Sequence, residues 1–247
     1  PKPFFIVFSL IFVLSGHTLF AQQEPMFTQF SNNIQAFNPA FINPNDEKHN
    51  LTLLVRNQWT GFEGAPVTQF LSYHRFVKKF RSMAGVSLVN DKAGALGFKL
   101  INLFYSYQFV FSDKNIFALG LQTGILNARI YNSQIQTTDP GDPATTSATL
   151  SRWTGDINFG IFYLYKNFRT GLSIPHLFSG KMYLQEENNM GLKSRLIPHG
   201  LFFSEYKYRF NSDYSLKTAG LIKFIKGDYQ WEINSKITVF NKFITGI

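Results

Sequence analysis

The chain has 247 residues and a formal charge of +9, with 45% hydrophobic and 17% aromatic residues. A mean hydropathy of -0.08 is too polar for a bundle of membrane helices, and the excess of Phe and Tyr favours strands. The absence of Cys excludes a disulfide framework and a thiolate metal site, and the scattered basic residues argue against a nucleic-acid partner.

The N-terminus has the features of a secretory signal peptide. Lys2 precedes an apolar run over residues 4–14, and Ala21 offers a small side chain at a cleavage point. We therefore predict that residues 1–21 are the signal peptide of an exported protein. Residues 22–50 have no clear periodicity and contain three prolines, and we interpret them as an irregular segment that forms a plug or a periplasmic contact.

From residue 51 onwards the dominant pattern is alternation with a period of two. In "YQWEINSKITVF" (229–240), for example, apolar and polar residues alternate along most of the stretch. Segments 67–76 and 199–210 carry large apolar residues on both faces. The strands predicted in this way are 51–59, 67–76, 82–90, 98–111, 115–127, 156–165, 168–174, 199–210, 214–225, 229–240 and one that begins at 242.

The connections between these strands distinguish a soluble β-sandwich from a membrane barrel. Short polar turns flanked by aromatic residues alternate with mostly longer loops, among them 61–66 and 90–97. Outer-membrane barrels have short periplasmic turns and longer extracellular loops, whereas a sandwich gives no reason for this pattern. We predict an all-β fold, an antiparallel transmembrane outer-membrane β-barrel over residues 51–247. Because barrels usually have an even strand number, eleven strands predict that the barrel is C-terminally truncated in this chain.

Basic residues recur at or beside the short turns. The sequence leaves open whether they form a solvated rim or a docking surface for a periplasmic partner. These residues are Lys78, Lys79, Arg81, Lys114, Lys166, Arg169 and Lys242.

No motif in the sequence predicts an enzyme. The His residues outside the signal peptide lack metal-ligand spacing, and the sequence has no GxSxG nucleophile elbow. We therefore predict no catalytic residues, no metal site and no cofactor. We also expect that no Ser, His and acidic side chains converge in the lumen or in a loop pocket.

The stretch "RNQWTGFEGAPVTQFLSYH" (56–74) resembles the signature of the PorP/SprF family, outer-membrane proteins of the type IX secretion system. The segments "GVSLVNDKAG" (85–94) and "GLSIPHL" (171–177) resemble later parts of the same family, and the likeness spans residues 22–247. The resemblance implies a non-enzymatic role in the secretion or surface display of adhesin-like proteins, which in gliding cells include motility adhesins.

The family also implies partners for this chain. They are the periplasmic ring lipoproteins of the secretion machine, the C-terminal domain of the exported cargo, or both, in addition to outer-membrane lipid. The alternative function is passive transport of small solutes, and the motif around Trp59 has the alternative interpretation of an ordinary hairpin loop. The residues that we predict to bind a partner are Arg56, Gln58, Trp59, Gly61, Phe62, Gly64, Pro66, Asn90, Asp91 and Lys92.

Overall fold

The computed structural model describes residues 30–42, 49–131, 150–179, 181–183, 193–225, 228–240 and 242–246. The predicted signal peptide, residues 1–21, lies outside these ranges. The strands are β1 (His49–Asn57), β2 (Val67–Val77), β3 (Ser82–Ala93), β4 (Leu96–Ser112), β5 (Asn115–Ile130), β6 (Leu150–Tyr165), β7 (Phe168–Ser179), β8 (Lys181–Tyr183), β9 (Lys193–Arg195), β10 (Gly200–Arg209), β11 (Tyr214–Ile225), β12 (Asp228–Val239) and β13 (Phe243–Gly246).

Eleven of the described strands form one antiparallel sheet. Its order is β1-β2-β3-β4-β5-β6-β7-β10-β11-β12-β13, so each strand pairs with its neighbours along the chain except where the small β8-β9 hairpin intervenes. Three short 3-10 helices, Phe30–Asn32, Ile34–Ala36 and Lys78–Phe80, complete the described part of the chain. None of the helices in the described ranges has the length and apolar character needed to cross a membrane. The all-β prediction is confirmed, with β1 and β13 at the two edges of the sheet.

Most strand positions agree with the prediction, but β6 begins at Leu150, six residues before the predicted start at 156, and one predicted loop is wrong. The segment 90–97 is mainly strand, because β3 continues to Ala93, β4 begins at Leu96, and the pair Asp91 and Phe98 lie in register. The turn between the two strands is therefore only Gly94 and Ala95. Backbone pairing and a glycine with a φ of 55° make this tight hairpin possible where composition alone indicated a longer loop.

β7 is longer than predicted because it contains a bulge. It continues past residue 174 to Ser179, while its pairing with β6 shifts from Ile174↔Phe159 to Phe178↔Ile157. Pro175 lacks the N–H group that a regular ladder requires, so the chain bulges at this point instead of ending the strand.

The two faces of the sheet have the reverse of the polarity found in a soluble protein. The outward positions carry exposed apolar side chains such as Leu121, Trp231 and Ile233, which are 53%, 65% and 65% exposed. The adjacent inward positions Gln122 and Asn234 are polar and buried. An apolar outer face and a polar inner face on strands mostly of nine residues or more are the pattern of a membrane-spanning sheet.

The sheet curves around residues 30–42, which we call the luminal segment. Side chains or backbone atoms of this one segment lie against the inward faces of eight different strands, which requires the sheet to wrap around it. The contact positions on the strands are Thr52, His74, Phe104, Gly120, Ile161, Leu172, Phe203 and Asn234.

A charge on the outer face should be costly in proportion to its depth in the membrane. Leu121→Arg, near the middle of β5, is expected to destabilise the protein in phospholipid vesicles by about 2–4 kcal/mol. Phe111→Arg, on the same outer face but at the end of β4 next to a short turn, is expected to cost about 0–1 kcal/mol. Denaturant titration of both variants in vesicles tests this, and equal costs at the two depths would contradict a lipid-facing outer surface.

Candidate functional site

The loop between β1 and β2 (residues 58–66) is a fixed structure that exposes two aromatic side chains. Backbone hydrogen bonds from Gln58 N to Pro66 O (2.9 Å) and from Phe62 N to Trp59 O (3.2 Å) close the loop. Trp59 has a φ of 53° in the left-handed region, as do Gly61 and Gly64, and such a tight path favours glycine. The Trp59 and Phe62 side chains are 67% and 76% exposed.

The turn between β3 and β4 supports this loop from the side. Gly94 N donates a 2.8 Å hydrogen bond to Gly64 O, and a Cβ atom on Gly64 would lie 3.3 Å from the Cα atom of Gly94. The two turns therefore pack backbone against backbone. The backbone that carries Trp59 and Phe62 is therefore supported by both hairpins.

Hydrogen bonds between β2 and β3 connect the strand that follows the loop with the predicted site residues at positions 90 and 91. Thr68 on β2 donates a short hydrogen bond to the Asp91 carboxylate on β3, and Asn90 Nδ2 donates to Gln69 Oε1 at 3.1 Å. These bonds connect residue pairs that face each other in the β2-β3 register. The Arg56 guanidinium donates to Gln58 Oε1 at 2.8 Å, which ties the end of β1 to the start of the loop.

All ten sequence-predicted site residues lie at this one end of the sheet. Arg56 is in β1, Asn90, Asp91 and Lys92 are in β3, and the remaining six are in the loop between β1 and β2. The Lys92 ammonium lies 5.0 Å from the centroid of the Tyr131 ring, which follows β5. Sequence reasoning missed the supporting role of Gly94, although "NDKAG" ends in a residue suited to a tight turn.

In the opposite, short-turn half of the sheet, Asn38 holds the luminal segment. Asn38 Nδ2 donates to two strand carbonyl groups, Ile161 O at 3.0 Å and Leu172 O at 3.3 Å. Its Oδ1 atom accepts a 2.8 Å hydrogen bond from the backbone N–H of Ala40. One side chain thus fixes a turn of the segment and anchors that turn to β6 and β7.

Glycines on three adjacent strands make room for this turn. A Cβ atom on Gly120 of β5, Gly160 of β6 or Gly171 of β7 would lie closer than 3.0 Å to an atom of residues 38–40. Gly120 and Gly160 face each other in the strand register, and Ala40 is fully buried. The close approach of the segment backbone explains Gly120, and the close approach of the Asn38 side chain explains Gly160 and Gly171.

Polar and aromatic contacts hold the two ends of the luminal segment. The Lys236 ammonium on β12 donates to Ser31 Oγ at 2.9 Å and to Asn32 Oδ1 at 2.6 Å, and Ser31 Oγ donates to Asn234 Oδ1 at 3.0 Å. At the other end, the Phe41 ring packs edge-on against the His74 imidazole, with centroids 4.9 Å apart.

Arg169 does not belong to the rim of basic residues near the short turns. Its Nε atom donates to Glu205 Oε1 at 2.9 Å, and the Glu205 carboxylate is buried and also 3.4 Å from the Lys217 ammonium. Pairing with a buried carboxylate directs Arg169 inward. Its position beside a short turn in the sequence could not reveal this long-range partner.

An acidic residue and a histidine do meet in the interior, which the sequence-based expectation did not foresee. His176 Nδ1 lies 2.8 Å from Asp156 Oδ1, and the His176 backbone N–H donates to Asn158 Oδ1 at 2.8 Å. His176 has a φ of 56° because it lies in the β7 bulge, and its ring is 6.1 Å from that of His199. This pair fastens the bulge to β6.

A small cavity of about 40 Å³ separates the luminal segment from the long-loop end. Its walls combine amide and imidazole side chains from four adjacent strands with apolar ones, above a floor formed by Ala36 and Phe37. The volume is sufficient for a few water molecules only. The polar wall residues are Asn102, Gln122, Asn158 and His176.

A sheet with an apolar outer face, a polar inner face and aromatic-flanked short turns defines an integral β-barrel protein of the outer membrane. The family model described as "Type IX secretion system membrane protein PorP/SprF" matches residues 19–247, and the chain belongs to this family. It is therefore a membrane component of the type IX secretion system and is located in the outer membrane. Comparison with curated proteins gave no match.

Enlarging the glycine that receives the luminal segment should loosen that segment. Since the chain has no native Cys, Ser31→Cys at a buried position provides a single thiol for maleimide labelling. Adding Gly160→Val is expected to cost about 1–3 kcal/mol through overpacking, which corresponds to roughly 5- to 150-fold faster labelling.

The matched control is Gly155→Val in the same strand, because a Cβ atom at Gly155 would meet nothing within 4 Å. Labelling should be unchanged in this control. Equal acceleration by both valines would contradict a specific fit between Gly160 and the luminal segment.

Proposed function

We propose that the protein is a non-enzymatic component of the secretion apparatus that supports secretion or surface display of adhesin-like cargo by binding protein partners. The observation that carries the proposal is the braced loop of residues 58–66. Hydrogen bonds hold its backbone, and the side chains of Trp59 and Phe62 are largely exposed. Aromatic side chains on a rigid support are typical of binding hot spots, because little entropy is lost when a partner covers them.

The position of the loop favours one of the two partners that the family implies. The loop lies at the end opposite to the short turns, and in outer-membrane barrels the short turns face the periplasm. A surface containing Trp59 and Phe62 then faces the cell exterior. We therefore assign this surface to a domain of the exported cargo. A periplasmic ring lipoprotein would have to bind at the short-turn end.

The filled interior argues against passive transport of small solutes. The luminal segment contacts eight strands. Its Asn38 side chain bonds to β6 and β7, and Lys236 of β12 bonds to the start of the segment. We propose that this segment is a plug within residues 22–50. The cavity beside it is too small for a solute of metabolite size.

The role of the exposed aromatics can be tested in the producing bacterium with the double variant Trp59→Ala/Phe62→Ala. We expect normal amounts of protein in the outer membrane and a loss of cargo display, because removing hot-spot aromatics typically costs 2 kcal/mol or more each, or about 30-fold in affinity. Display is measured by antibody labelling of intact cells.

The matched control is Trp153→Ala, which removes an exposed aromatic side chain from a strand at the same end of the sheet. Cargo display should persist in this control. Loss of the barrel from the membrane in the double variant would instead give the motif a purely structural role, and normal display would contradict the proposal.

The plug can be tested by recording from planar bilayers that contain the reconstituted protein. We expect the unmodified chain to show no steady conductance, because the luminal segment fills the interior. Gly160→Val should produce channel openings by displacing that segment, and Gly155→Val should remain silent. A steady, selective conductance of the unmodified chain would favour the transporter alternative.

A further inference from the structure

Cationic side chains surround the short-turn end of the sheet. The five short turns are β2-β3, β4-β5, β6-β7, β10-β11 and β12-β13. We define the basic rim as the six lysines and arginines of these turns, and all six residues are exposed. The same turns carry only two carboxylates, Asp113 and Asp213, so the rim has an excess of four positive charges. The residues of the basic rim are Lys78, Lys79, Arg81, Lys114, Lys166 and Lys242.

The rim lies at the level of an exposed aromatic belt. The Lys79 ammonium is 5.7 Å from the centroid of the Phe80 ring, and the Lys166 ammonium is 5.0 Å from that of Tyr165. Aromatic belts mark the membrane–water interface, where lipid phosphates also lie. The ring contacts thus place the Lys79 and Lys166 ammonium groups at the level of the aromatic belt. Exposed aromatics at this end include Phe80, Phe111, Tyr165, Phe210, Phe240 and Phe243.

Backbone hydrogen bonds fix the spacing of the rim turns. Lys166 N donates to Lys114 O at 2.7 Å, which holds the β4-β5 and β6-β7 turns side by side. Gln108 N donates to Arg81 O at 2.8 Å and ties the β2-β3 turn to β4. Lys114 and Lys166 therefore lie on adjacent turns that a backbone hydrogen bond connects.

We propose that the basic rim binds anionic phospholipid headgroups of the leaflet at the short-turn end. Three of the six cations lie in the β2-β3 turn, and the other three lie one each in the β4-β5, β6-β7 and β12-β13 turns. Four of the five short turns along the perimeter of the sheet therefore carry a cation. A lipid leaflet contacts that whole perimeter, whereas an acidic protein surface would match a local cluster better. Each cation near an anionic leaflet contributes attraction that depends on salt concentration.

The test measures lipid selectivity of the reconstituted chain. Spin-labelled phosphatidylglycerol and spin-labelled phosphatidylcholine are compared by electron paramagnetic resonance in phosphatidylcholine vesicles. We expect the chain to prefer phosphatidylglycerol about fivefold, a magnitude typical of one well-placed cation. The preference should approach one in the Lys78→Gln/Lys79→Gln/Lys114→Gln/Lys166→Gln variant and in 0.5 M NaCl.

Replacing the same four lysines with arginine should keep the preference, because charge is retained. Lys99→Gln, an exposed lysine near the long-loop end, should also keep it. The double variant Lys114→Gln/Lys166→Gln provides a milder change with an intermediate result, and circular dichroism verifies that each variant retains its sheet.

Two outcomes would overturn the proposal. An unchanged preference in the four-glutamine variant would exclude headgroup binding by the rim and leave an acidic protein surface as its partner. Absence of any preference for phosphatidylglycerol in the unmodified chain, together with binding of inorganic phosphate, would show that the rim takes free phosphate and not a lipid.

Discussion

A backbone inside a bilayer finds no water, so each of its N–H and C=O groups needs a partner within the protein. This constraint explains the continuous antiparallel ladder from β1 to β13 and the exposed apolar face that accompanies it. It also creates a second requirement, because the same alternation that turns apolar side chains to lipid turns polar ones inward. These inward groups must be hydrogen-bonded or hydrated.

The luminal segment meets much of that second requirement. Asn38 uses strand carbonyl groups as acceptors, and Ser31 and Lys236 pair with each other across about two hundred residues of sequence. Glycines on β5, β6 and β7 allow the close approach that these bonds need. Apolar residues of the segment, such as Phe30 and Phe41, pack into the same buried cluster as inward residues of the strands. The interior is therefore a packed core that joins a polar network.

The two ends of the sheet have different chemistry. At the long-loop end, two connected hairpins present aromatic side chains on a rigid support. At the short-turn end, cations lie beside exposed aromatic rings at the expected height of lipid headgroups. The proposed partner-binding surface at one end and the proposed lipid-binding rim at the other fit the proposal of a component that remains in the bilayer while cargo passes to the exterior.

Local pattern in the sequence was sufficient to predict the strands, their antiparallel order, the outward apolar face and the end of the sheet at which residues 56–66 and 90–92 meet. Each of these depends on side-chain alternation or on turn composition over a few residues. Tertiary structure alone decided that Asn38 binds β6 and β7, that Arg169 turns inward to Glu205, and that Asp156 pairs with His176. These contacts join residues that are distant in sequence and depend on how the sheet curves, which no local pattern encodes.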